Sequence, residues 1–211
     1  IMNVIISIII VILLIIVIIK NQKEPFNNNK KKIALCFLIY NKINNEELWF
    51  EWLKNVDKSK YNIYIHYKND EPLKYFNEYK LKDTIETCWC CLSIVQVQNL
   101  ILKEAVKDKE NTHFIWLSQS CLPIKTFNYI YNNLDTTKSY FNKFTTIPKE
   151  NNLLNYIENN NIKKAAMPSI LNRKHALKLL ENEDKIEWFR NVSICREEIT
   201  FITLLHHLGY K

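Results

Sequence analysis

Two apolar runs fix most of what this chain can become. Ile33–Ile39 (IALCFLI) contains no polar residue, and Phe114–Leu117 (FIWL) is equally unbroken before it gives way to Ser118-Gln119-Ser120 and then Pro123. A strand with one wet face alternates apolar and polar residues, so runs without alternation belong to strands covered on both faces. The intervening sequence supplies the cover. Glu46–Asp57 spaces Leu48, Trp52, Leu53 and Val56 at helical intervals behind an acidic first turn, and Ser93 is placed to cap a helix from Ile94 to about Val106. Further strands are read at Asn62–Tyr67, Asp83–Thr87, Tyr140–Phe144 and Ala165–Leu171, and further helices at Phe127–Leu134, Arg173–Leu180 and Glu197–Leu208. The alternation predicts an α/β fold on a mainly parallel sheet with helices on both faces.

In such sheets ligands sit where strands open into loops at their carboxyl ends. Phe114–Lys125 (FIWLSQSCLPIK) has the form of a buried strand delivering hydroxyls and an amide to that edge. A polar turn also serves simply to solvate the last carbonyls of a strand, so this stretch alone does not assign a site.

Ile1 to Ile19 is almost wholly Ile, Val and Leu, broken only by Asn3 and Ser7 among its polar residues. It approaches the roughly 20 apolar residues that span a bilayer, exceeds a typical signal-peptide core, and has no small-residue cleavage site after it. Residues 1–19 are therefore expected to form an uncleaved transmembrane anchor, 20–32 a polar stem with Pro25, and 33–211 one domain. Lys20, Lys23 and Lys30–Lys32 follow the apolar run, which by the positive-inside bias would put that side in the cytoplasm.

Gly209 is the only glycine, and this excludes Gly-rich phosphate loops of the Walker or dinucleotide type. The net charge of +7 suits a polyanion, a membrane surface or a diphosphate. Its lysines are dispersed and no nucleic-acid-binding motif accompanies them, so nucleic acid is not an expected partner. Cys88, Cys90 and Cys91 lack the spacing of a zinc knuckle, and no metal site is expected. In an oxidising compartment the six cysteines can form disulfides, whereas Cys36 and Cys121, in or beside core strands, also read as buried thiols.

Five stretches, in order, resemble the core-2/I-branching enzyme family of glycosyltransferases: TIETCW (Thr84–Trp89), Ser93 at a helix start, FIWLSQSCLPIK, LNRKHALKLL (Leu171–Leu180) and EEITFITLL (Glu197–Leu205). The resemblance covers about Ile33 to Leu208. It implies a GT-A-type, Rossmann-like α/β fold behind one N-terminal transmembrane helix, a Golgi location and a lumenal catalytic domain. It also implies inverting transfer of a sugar, typically N-acetylglucosamine, from a UDP-sugar to a glycan hydroxyl, with no metal cofactor.

Inverting transfer needs one carboxylate to take the acceptor's proton and positive charge or N–H donors for the leaving diphosphate. The family's Pro-Asp-Glu base motif falls on Arg196-Glu197-Glu198, making Glu198 the expected base, with Arg196 where the proline would be. Read without the family, Glu197 and Glu198 would simply complement a helix dipole. The resemblance further implies substrate contacts at Ser118, Gln119, Ser120, Lys125, Glu86 and Trp89, and nucleotide contacts at Ile39, Tyr40, Asn41 and His66. His66 also reads as a histidine hydrogen-bonded within a sheet. Many relatives carry His-x-Asp there, but this chain has His66-Tyr67-Lys68 and lacks that carboxylate. Asn191-Val192-Ser193 is a glycosylation sequon.

Relatives continue past the last helix and draw basic residues for the diphosphate from there, so the domain is read as truncated relative to the family. Lys163, Lys164, Arg173 and Lys174 are the cations that would substitute. The rival reading is a catalytically degenerate, membrane-anchored carbohydrate-binding or interaction protein of the same fold.

Overall fold

The structure, a computed structural model, describes residues 31–146 and 149–210. The expected anchor and most of the expected stem lie outside them. Among the described residues no helix is long and apolar enough to cross a membrane.

The Ile33–Ile39 run forms the strand β1 (Lys32–Ile39), and its side chains part alternately to two cores. Ala34 and Cys36 enter one core, while Ile33, Leu35, Phe37 and Ile39 enter the other. This explains why the run is apolar throughout. β2 (Tyr61–Tyr67) and β3 (Asn111–Ser118) flank β1, both parallel to it. β5 (Ala165–Asn172) lies antiparallel beside β3, and β4 (Tyr140–Lys143) closes the edge, for a spatial order β2-β1-β3-β5-β4. The expectation of a mixed α/β fold with parallel central strands is met, with the antiparallel β5 as a departure from a fully parallel sheet.

Helices α1 (Glu46–Leu53) and α3 (Phe127–Asn133) cover one face, placing Trp49, Leu53 and Phe127 on the odd-numbered side chains of β1. On the other face lie α2 (Leu92–Ala105), α4 (Arg173–Leu180) and α5 (Thr200–His207). Their Val95, Ile101, Leu179, Phe201 and Leu204 pack with Phe114, Trp116 and Leu171. Gly209, at φ 84°, ends α5: Tyr210 N–H reaches back to Leu205 O at 2.9 Å and Gly209 N–H to His206 O at 3.0 Å.

Three local expectations are corrected. Asp83–Thr87 is not a strand; only Ile85 of this segment packs on the core, and it is held by a side chain instead of a ladder. Ser93 does not cap its helix, which begins at Leu92; Ser93 Oγ accepts the Cys88 N–H at 3.3 Å. The last helix begins at Thr200, so Glu197 and Glu198 occupy a separate 3₁₀ turn, Arg196–Glu198. Dipole complementation within the first turn of a helix does not account for them.

Arg173 opens α4 and turns its guanidinium onto the end of α2 and the entry to β3. Nη1 donates to Asp108 O and Asn111 O, both at 2.9 Å, and Nη2 to Val106 O at 2.8 Å. Its removal strands three carbonyls in a partly buried site. Arg173→Ala is expected to lower the unfolding free energy measured in urea by about 2–4 kcal/mol, while exposed Lys174→Ala stays within about 0.5 kcal/mol.

Candidate active site

The carboxyl ends of β1, β2 and β3 meet at one edge of the sheet because the three strands are parallel. There the loops after β1 and β3 are sewn together. Gln119 Oε1 accepts the Tyr40 N–H at 2.9 Å, Gln119 O accepts the Asn44 N–H at 3.0 Å, and Asn44 Nδ2 donates to Ser120 Oγ at 3.2 Å. Ser118 Oγ lies 3.4 Å from Cys121 Sγ and accepts the Ser120 N–H at 3.4 Å. The loop after β2 joins through Tyr40 O, which accepts Lys68 N–H at 3.0 Å and Asn69 N–H at 2.7 Å. Asn41 Nδ2 donates to Glu71 Oε1 at 2.8 Å. Ile39, Tyr40, Asn41, Ser118, Gln119 and Ser120 are thus brought together.

His66 is buried, and its Nε2 accepts the Ile85 N–H at 3.0 Å, which leaves the ring proton on Nδ1. It anchors the segment that carries Glu86 and Trp89. Glu86 is exposed; Thr87 O accepts the Lys68 ammonium at 2.7 Å, and that ammonium also sits 5.7 Å from the Tyr40 ring centre. Trp89 is 89% exposed. Next to it, Cys88 is bonded to Cys91 and Cys90 to Cys195, leaving Cys36 and Cys121 as free thiols.

The Cys90–Cys195 bridge brings in the turn Arg196–Glu198. Arg196 Nη1 donates to Cys90 O and Nη2 to Arg190 O, both at 2.9 Å, so its charge is spent on carbonyls. Glu197 points inward with a buried, unpartnered Oε2. Burial raises its pKa, and the neighbouring Glu198 charge adds to the rise. One Glu197 oxygen lies within 4.8 Å of the Cys90 and Cys195 sulfurs, but these are joined to each other and offer no thiolate to a metal. Glu198 Oε2 pairs with Lys164 Nζ at 3.0 Å, both side chains largely shielded. Lys164 stands at the entry to β5. Its neighbour Lys163 is pinned to α5 by two 2.9 Å bonds with Thr203 Oγ1. Since β5 runs antiparallel to β3, its entry lies at the edge where β3 ends in Ser118. Glu198, Lys164, Trp89 and the Ser118–Ser120 loop therefore occupy the same end of the sheet.

Residues 33–210, from the first buried residue of β1 to just past the Gly209 turn, match the family described as the core-2/I-branching enzyme. The chain belongs to the core-2/I-branching enzyme family. It is also similar to glycosyltransferase BC10 of Oryza sativa subsp. japonica, 23% identical over 170 residues, which are 75% of this chain and 43% of that relative. The chain thus spans less than half the length of the curated relative it matches.

Within this core-2/I-branching fold the four candidate cations separate. Lys163 and Lys164 are at the carboxyl-end edge, whereas Arg173 and Lys174 follow the last residue of β5 and lie at the opposite edge, Lys174 over the Tyr210 ring. Lys125 is placed apart from Glu198. Its carbonyl accepts Trp52 Nε1 at 2.8 Å and its ammonium lies 5.3 Å from the Tyr129 ring, against the helices of the other face. Asn191 is exposed, while Ser193 of its sequon gives its N–H to both Glu150 oxygens at 3.1 and 3.0 Å. The Glu198–Lys164 pair and the burial of Glu197 were not singled out from sequence, because no periodicity links a strand entry to a distant turn.

Burial holds the His66 pKa below its ordinary value near 6.5. As pH falls through that ordinary value the unfolded chain takes up a proton that the folded chain refuses, so stability complete above it is lost toward the lower folded value. His113 and His175 are depressed in the same direction by burial. His66→Gln keeps an acceptor for Ile85 without the titration, and the fall in urea stability between about pH 7 and about pH 5 is expected to be smaller than in the wild type.

Proposed function

We propose that this chain is an inverting glycosyltransferase that moves a sugar, N-acetylglucosamine in our reading, from its UDP conjugate to a glycan hydroxyl without a metal ion. The observation that carries the proposal is the Glu198–Lys164 pair at the carboxyl-end edge of a core-2/I-branching fold. Glu198 takes the acceptor hydroxyl's proton while that oxygen forms a bond to the anomeric carbon. The bond from that carbon to the diphosphate oxygen breaks, and its electron pair leaves with UDP. Lys164, already held beside the base, balances the charge that appears on the diphosphate. The nucleotide is received by the loop after β1, at Ile39, Tyr40 and Asn41, with His66 shaping that edge through Ile85. The sugars are received by Ser118, Gln119 and Ser120, and by Glu86 and Trp89.

The same reading places the domain in the Golgi lumen, tethered through residues 1–19. Two disulfides favour an oxidising compartment, and Asn191 is accessible. An endoglycosidase-sensitive mass shift, lost in Asn191→Gln, is the expected result for the expressed full chain.

With full-length protein in detergent and UDP-N-acetylglucosamine as donor, Glu198→Gln is expected to lower kcat by roughly 10²–10⁴-fold with UDP affinity retained. Lys164→Met should raise the donor KM, and EDTA should leave turnover unchanged. Equal turnover by Glu198→Gln and wild type would remove the base assignment. Glycan binding with no UDP affinity would instead favour a carbohydrate-binding chain.

A further inference from the structure

Four of the six cysteines meet where the turn Cys88–Cys91 touches the segment before Glu198. Cys88 is bonded to Cys91 and Cys90 to Cys195, so two neighbouring residues, Cys90 and Cys91, belong to different bridges. The turn is also held without sulfur. The Cys91 N–H donates to Cys88 O at 3.2 Å, the Cys88 N–H donates to Ser93 Oγ at 3.3 Å, and Cys90 takes φ 58° at the third position, where a positive φ closes a tight turn.

The two bridges differ in three properties that govern exchange with an outside thiol. The first is access: Cys88 is exposed, whereas Cys90 and Cys195 are half-buried and Arg196 Nη1 lies against them, donating to Cys90 O at 2.9 Å. The second is the leaving group. A thiolate that attacks Cys88 Sγ expels Cys91, and Cys91 caps α2, a helix of 14 residues, where the N–H groups of the first turn favour negative charge. A thiol of lowered pKa departs faster. The third is loop length. The outer bridge joins residues three positions apart and the inner one residues 105 apart, so opening the outer bridge returns little chain entropy while opening the inner one releases a long loop. The outer bridge can therefore open with the domain still folded.

We infer that Cys88–Cys91 is a reversible thiol–disulfide exchange site for a small thiol of the glutathione class, with Cys90–Cys195 as the permanent bridge that keeps the turn in place while the outer one opens. The thiolate of one glutathione bonds to Cys88 Sγ as the Cys88–Cys91 bond breaks, and Cys91 takes the electron pair. A second glutathione thiolate then attacks the sulfur of the first, and Cys88 leaves as a thiolate. Two glutathiones have become one disulfide, and the protein has gained two electrons as a dithiol. Oxidised glutathione reverses both steps, and reclosure is favoured because the turn's own hydrogen bonds hold the Cys88 and Cys91 Cα atoms, 5.4 Å apart when bridged, within bonding reach. The inference does not rest on the proposed transfer reading.

The test equilibrates full-length protein in detergent with mixtures of reduced and oxidised glutathione, quenches with an alkylating reagent, and maps the labelled peptides by mass spectrometry. Cys88 and Cys91 are expected to be alkylated together in mixtures that leave Cys90 and Cys195 joined, with far-UV circular dichroism unchanged and the bridge restored by oxidised glutathione. In a time course the outer bridge should open at least about tenfold faster than the inner one. Cys91→Ser, which lacks the resolving thiol, should retain one glutathione on Cys88 after exposure to oxidised glutathione, with Cys90–Cys195 intact. Simultaneous opening of both bridges, earlier opening of Cys90–Cys195, or no opening short of unfolding would overturn the inference. A Cys91→Ser chain that keeps Cys90–Cys195 yet takes up no glutathione would do the same.

Discussion

β1 has to be covered on both sides, and the rest of the architecture follows. Its alternate side chains are committed to two separate cores, each closed by helices. Helices can lie on both faces only if the chain crosses over between strands, and crossovers make neighbouring strands parallel. Three parallel strands then end together. The polar groups of Tyr40, Asn41, Ser118, Gln119 and Ser120 collect at their terminal loops.

The site needs a second constraint, because the turn bearing Glu198 is not part of the sheet. It is held from three directions. Cys195 is bonded to Cys90, Arg196 spans two carbonyls, and Ile199 is buried directly behind it. The bridge joins residues separated by 105 positions. In chain-entropy terms, closing a loop of that length is worth about 4–5 kcal/mol. That is a large share of the stability of a domain this size. The same bridge ties the loop that carries Trp89 to the turn that carries Glu198.

Arginines and lysines are divided by position between backbone carbonyls and carboxylates. Arg173 and Arg196 direct their guanidinium groups at backbone carbonyls, where a planar fork satisfies two or three acceptors at once. Lys164, a point charge on a flexible stem, pairs with Glu198 at the carboxyl-end edge. Glu197 and Glu198 are adjacent in sequence and differ in surroundings. The first is turned inward and driven toward its neutral form by burial, while the second keeps a counter-ion. A tight 3₁₀ turn separates two neighbouring side chains in this way, and the helical first turn expected from sequence would have set both on the helix rim.

The sequence by itself determined the strand and helix order apart from Asp83–Thr87, the two-sided burial of β1 and β3, and the bounds of α4, because each is written in local periodicity. Membership of the core-2/I-branching enzyme family was legible too, through the order of five motifs. The antiparallel entry of β5, the use of Ser93 and His66 as loop anchors, the inward turn of Glu197 and the pairing of four cysteines were not. Neither was the pairing of Lys164 with Glu198 while Arg173 goes to backbone carbonyls. Each of these depends on which distant segments meet, and sequence spacing carries no such information. Only the packed sheet, which sets the entry of β5 against the end of β3, decides which charges become neighbours.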